Sequence, residues 1–157
     1  MPTDLFQAVR RDGASAVTAL ANTHDINLKN DDEQNFLHVA IVYGNQSVIG
    51  HLLISGIDVN SPDSKGQTPL HYAAAYQNAD AAEQIFSSGG DIALLDTHGN
   101  TALWTAVFNA RGKYRVVEVF LQHGGRQLAG VRNNHGKSPL DFARQIGDKT
   151  LLTMLEG

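Results

Sequence analysis

Cysteine is missing from this chain altogether, which excludes disulfides, thiolate zinc sites and a cysteine nucleophile. It also makes the chain indifferent to redox compartment. Nowhere is there an apolar run of about 18 residues, so a membrane-spanning helix is not expected. The opening segment, MPTDLFQAVRRDG, lacks a basic stretch followed by an apolar core and does not read as a secretory signal. A cytoplasmic location is therefore expected. Proline is scarce at 4 residues against 15 glycines, a balance that points to many short connections. Basic residues are the minority: 12 Lys and Arg against 16 Asp and Glu leave a net charge of −4 and a pI near 5.9. That balance argues against nucleic acid as the main partner. At 42% hydrophobic and 18% charged residues over 157 positions, the chain reads as one folded domain rather than a disordered segment.

Catalytic constellations are lacking as well. There is no HExxH, no phosphate-cradling glycine loop, no GxSxG and no EF-hand loop. The histidines (His24, His38, His51, His71, His98, His123 and His135) are dispersed, and no two stand four apart on a helix, as a zinc pair would. The chain is not expected to be an enzyme or to hold a cofactor or metal.

What the chain has is an internal period. Leu37, Leu70 and Leu103 are 33 residues apart, and so are Ala40, Ala73 and Ala106. His38 and His71 share the phase with Trp104, while Asp25, Asp58 and Asp91 repeat at the same step. A further copy, Ser138-Pro139-Leu140-Asp141-Phe142-Ala143, follows after 37 residues. Self-similarity at such a period signals stacked supersecondary units. In Gly66-Gln67-Thr68-Pro69-Leu70-His71-Tyr72-Ala73-Ala74 a glycine turn leads to threonine, a good N-cap, and proline, suited to the first helical position. Leu70, Ala73 and Ala74 then fall at helical spacing, and this short helix is expected to stop near Gln77 or Asn78. Ala82, Ile85 and Phe86 mark a second helix, closed by Gly89-Gly90. Each unit thus reads as helix, tight turn, helix, long loop.

TPLHYA at 68–73, with the looser copies NFLHVA (35–40), TALWTA (101–106) and SPLDFA (138–143), resembles the ankyrin-repeat signature. GIDVN (56–60) and GGDIA (89–93) are similar to that family's end-of-repeat loop. The resemblance implies an all-α solenoid of stacked helix-turn-helix units with projecting β-turn-like loops. Repeats are placed at about 30–62, 63–95, 96–132 and 133–157, with an N-terminal cap at 3–29. It also implies that His38 and His71 are structural, bonding neighbouring loop backbone. Trp104, in the third copy, is a packing substitution or a surface anchor, and Asp141, in the last, would cap or bond a loop.

In ankyrin proteins the concave face, formed by the inner helices and the loops, contacts partners. Its inner-helix positions here are Val42 and Tyr43, Ala75 and Tyr76, Phe108 and Asn109, and Gln145 and Ile146. Tyr43, Tyr76 and Phe108 put an aromatic on this face in three consecutive repeats, and such rings are typical interface anchors; the alternative is that they merely cover the inner helices. The loop tips add Asp31, Asp32, Gln34, Lys65, Gln67, His98 and Asn100, with Ser64, Thr97, Asn134, His135 and Lys137.

Two insertions break the period, near Ala110-Arg111 and within Arg126–Arg132. The first makes an inter-helix turn, Asn109–Arg115, where Arg111, Lys113, Tyr114 and Arg115 form the densest cationic and aromatic cluster. An acidic protein patch suits it better than nucleic acid, since so few cations give little phosphate affinity; a tolerated insertion with solvated charges is the other reading. Charge is also polarised. Residues 1–110 carry 4 basic and 12 acidic side chains (−8), and residues 111–157 carry 8 and 4 (+4). In a solenoid this becomes a rod with an acidic front and a basic rear. The expected function is a protein-protein interaction module, monomeric when free, that inhibits a cognate partner by steric occlusion. Small stand-alone ankyrin proteins resemble immunity proteins that neutralise a bacterial toxin, and the acidic front suits a basic toxin or effector. The rival expectation is a regulatory or scaffold subunit of a cytoplasmic complex.

Overall fold

The computed structural model describes residues 2–11, 13–22 and 25–157. Positions 12, 23 and 24 of the expected cap, His24 among them, lie outside the described residues. Ten α-helices are described: α1 (Pro2–Arg11), α2 (Gly13–Ala21), α3 (Phe36–Val42), α4 (Gln46–Ile54), α5 (Pro69–Ala75), α6 (Ala79–Ser87), α7 (Ala102–Asn109), α8 (Arg115–Gln122), α9 (Pro139–Ile146) and α10 (Lys149–Glu156). A short 3-10 turn, Gly125–Leu128, follows α8. The fold is all-α, and among the described residues the only β pairings are isolated bridges, Lys29 with Asn35 and Leu95 with Thr101. No described helix is long and apolar enough to cross a membrane.

Helices of seven to ten residues are too short to persist alone in water, so neighbours must hold them. The odd-numbered helices pack in series from α1 to α9. The even-numbered ones do so from α2 to α8, after which the 3-10 turn packs on α8. Each helix also packs on its own partner. Leu37, Leu70 and Leu103 are completely buried between the layers, as are Ala40, Ala73 and Ala106, whose small side chains let adjacent helices approach closely. Leu140, in the same register, is only half-buried, while Leu151 and Leu155 of α10 are buried. At the front, Phe6 stacks on Phe36 with ring centroids 4.3 Å apart.

The helix starts follow the caps that the sequence offers. Asn35, Thr68, Thr101 and Ser138 precede α3, α5, α7 and α9, with Pro69 and Pro139 at the first turn. The ends come slightly earlier than expected: α5 stops at Ala75, with Tyr76 as its C-cap and Gln77 in the left-handed region at φ 54°. Gly44 and Gly147 hold that left-handed position after α3 and α9, and Arg111, one residue later in register, is in the same region after α7. In the 109–115 segment, Asn109 is still helical and Arg115 already begins α8, so the turn proper is 110–114.

The loops before α3, α5, α7 and α9 are fingers built on one device. The side-chain oxygen of Asn30, Asp63, Asp96 or Asn133 accepts backbone N–H groups two and four residues ahead. Backbone bonds then tie each finger to the next: Ser64 N to Asp32 O (3.0 Å), Thr97 N to Lys65 O (2.9 Å) and Asn134 N to His98 O (2.9 Å).

Candidate interaction surface

The surface begins from two histidines that lock fingers to helices. The backbone N–H groups of Asn35 and Thr68 donate to Nδ1 of His38 and His71, both at 3.2 Å. That fixes the tautomer, so each Nε2–H donates onward: His38 to Gln67 O (2.9 Å) and His71 to Asn100 O (3.0 Å). Burial lowers both imidazoles from their usual value, His38 down to about 4, because a charged ring would lose its hydration. Both are structural, as the sequence implied. Next to this lock, the half-buried Tyr72 accepts from Gln34 Nε2 (2.7 Å) and donates to Asp63 Oδ2 (2.8 Å). Burial, and then the Asp63 carboxylate it hydrogen-bonds, raise the phenol's pKa above its usual value.

From Tyr72 the inner helix leads directly to the exposed anchors. Tyr76 stacks on Tyr72 at 6.3 Å and is 54% exposed; Tyr43, one repeat earlier, is 52% exposed. A shallow depression lies between them, bounded by Gly44, Gln77, Asp80 and Arg115. A second depression, on the other side of Tyr76, is bounded by Asn109, Ala110, Arg111 and Lys113. Tyr76 is therefore the ridge between the two, and the structure joins the tyrosines to the cationic turn in one surface.

Phe108 lines neither depression. It is 45% exposed, but it stands one residue earlier in register than the tyrosines, and Asn109 fills their position. Its ring stacks on Trp104 at 4.9 Å and lies 5.2 Å from Phe142, making a separate aromatic group at the rear. The half-buried Trp104 packs there, and its indole N–H is buried without an acceptor among the described residues. Phe142 was missed in the sequence, although it stands in the same register as Tyr72. The Asp80 carboxylate was missed too, having no periodic signal.

The remaining expected residues divide by what their polar groups do. Asp31, Asp32, Lys65 and His98 are exposed at the finger tips, and Arg111, Lys113 and Arg115 are exposed at the turn. Gln34, Gln67, Asn100, Asn109 and Tyr114 are half-buried. Gln34 is tied to Tyr72, Asn100 to Asp96 and Asn133, and Asn109 to Thr105 O. The backbone of Gln67 serves His38 and Asp63. Tyr114 donates to the Asp148 carboxylate at 3.0 Å, and this bond holds its phenol protonated to higher pH than usual. Asp141 caps α9, accepting from Ser138 N and Arg132 Nε, and these bonds favour the carboxylate, holding its pKa below the usual value. No group of three or more metal-ligating side chains occurs among the described residues.

A family model described as Ankyrin repeats (3 copies) matches residues 5–96, and one described as Ankyrin repeat matches residues 98–133. No curated protein matches the sequence of this chain.

Proposed function

Because this chain belongs to the ankyrin-repeat family, whose scaffolds are non-catalytic protein-interaction modules, we propose that it grips one partner protein across its inner-helix face and finger tips and inhibits that partner by covering it. The observation that carries this reading is the pair Tyr43 and Tyr76, each more than half exposed at the same register of successive repeats. A large ring held upright by its own helix loses little entropy on binding and excludes much water, which makes it an anchor.

The acidic side chains Asp31 and Asp32 stand open at the first finger tip, and a basic partner matches them. We read the chain as a cytoplasmic immunity protein, monomeric when free, that neutralises a basic toxin or effector. Charge of this kind steers encounter and raises the association rate. The test is purification of the tagged chain from its own cells, followed by co-expression with the protein it retains. The inhibitory reading expects a stoichiometric, slowly dissociating complex and restored growth of cells making that partner. Weak, fast-exchanging binding without rescue would sink it and favour a regulatory or scaffold role.

A further inference from the structure

We propose that the inserted turn between α7 and α8, with Tyr76 as its apolar wall, docks an acidic segment of the partner protein that carries an apolar side chain. This rests on the partner-binding reading above and names the chemistry recognised at one part of it.

The turn presents charge that the chain itself does not use. Arg111 and Lys113 are exposed, and their side chains meet no acceptor among the described residues. Arg115 reaches only Glu118, at 3.9 Å between exposed groups, a pair worth little in water. Other arginines of the rear half are tied down: Arg126 donates to Met154 O at 3.0 Å, Arg132 pairs with Asp141 at 3.3 Å and Arg144 with Glu156 at 3.1 Å. Lys137 and Lys149 are likewise exposed without an acceptor among the described residues, but the turn gathers Arg111, Lys113 and Arg115 within one short segment.

Geometry keeps these cations displayed. Arg111 is in the left-handed region at φ 46°, one residue later in register than Gly44 and Gly147, and Gly112 follows at 83°. Lys113 N donates to Ala110 O at 2.7 Å, closing the turn, while Ala110 is completely buried beneath it. Arg111 and Lys113 border one depression beside Tyr76, and Arg115 borders the other. A carboxylate on either side of the ridge thus finds a guanidinium or ammonium, while an apolar side chain lies against the phenol ring. Asp80 opposes Arg115 in the hollow that Arg115 borders, so the excess of positive charge lies in the hollow bordered by Arg111 and Lys113, which no carboxylate lines. Three cations flanked by Asp80 and Glu118 suit carboxylates better than a phosphate backbone, whose affinity needs many neutralising contacts.

The experiment uses the full chain and fluorescence anisotropy with three short labelled peptides: glutamate-rich with a central Phe-Leu pair, glutamate-rich without it, and lysine-rich with it. The first is expected to bind in a salt-sensitive manner. Arg111→Glu with Lys113→Glu is expected to weaken it about tenfold or more and to bind the lysine-rich peptide instead. Tyr76→Ala is expected to weaken the Phe-Leu peptide and leave the purely acidic one unchanged. Circular dichroism checks that each variant is folded. Equal affinity of the native and charge-reversed chains for the acidic peptide would overturn the proposal, as would displacement of the peptide by a single-stranded oligonucleotide at the same residues. If charge reversal leaves capture of the native partner intact while Tyr43→Ala with Tyr76→Ala abolishes it, this inference fails and the partner-binding reading stands. If neither set affects capture, both fail.

Discussion

At the level of single residues, two buried imidazoles bridge a helix cap to the carbonyl of the following finger. Both titrate below the ordinary histidine value, His38 at about 4. The unfolded chain therefore binds more protons than the native one below about pH 6.5. Their contribution is fully present above that pH and is lost as pH falls toward the folded values. Each is expected to remove up to about 1.4 kcal/mol per pH unit in that window, as read by urea denaturation between pH 7 and 4.5; His71→Gln should flatten the slope. These roles were legible through the ankyrin resemblance, which places both histidines in the signature. Trp104 was legible only as an exception. That its N–H lacks an acceptor among the described residues is a matter of tertiary packing, which no local pattern encodes. Trp104→Phe keeps the stack and removes the orphaned donor, so its stability is expected to stay within about 1 kcal/mol of native; a thermal melt would reveal a larger loss.

Among the elements, the connections carry most of the information. Asn27 Oδ1 accepts from Asp58 N, and Asn60 Oδ1 from Asp91 N, both at 2.8 Å, so each end-of-repeat loop clamps the next. In the third loop that position is Ala93, which has no such oxygen. The clamp series stops there, and the following loop departs into the 3-10 turn Gly125–Leu128. Glycines in these connections serve different needs. A Cβ on Gly125 would stand 2.6 Å from Phe120 O, whereas Gly112 has open space but φ 83°. Gly125→Ala is expected to destabilise by about 2 kcal/mol through overpacking, and Gly112→Ala by only about 1 kcal/mol through backbone strain. Equal losses in parallel urea titrations would contradict that division. The sequence located both insertions, but not that the first would leave Asn109 helical and put Tyr114 on Asp148.

On the scale of the whole molecule, the stack has no centre: each pair of helices buries its apolar face on its neighbours. Linear order therefore becomes spatial order, and the charge difference between the two parts of the sequence becomes a difference between two ends. With the cognate partner in hand, Tyr43→Ala with Tyr76→Ala is expected to weaken binding by more than about 2 kcal/mol without changing the melting temperature, because both rings are exposed. Unchanged affinity by calorimetry would move the interface away from the inner helices.

The sequence by itself determined the helix pairs and their buried leucines, because these follow from spacing within one repeat, and the charge difference between its two parts, because that is composition; the structural histidines came with the ankyrin resemblance. Only the tertiary structure decided which exposed side chains share a surface. It put Tyr76 beside the cationic turn, moved Phe108 to Trp104 and Phe142, and drew Gln34, Asn100 and Tyr114 into internal bonds. Those outcomes depend on how one repeat is rotated and shifted against the next, and a period in the sequence carries no measure of that rotation.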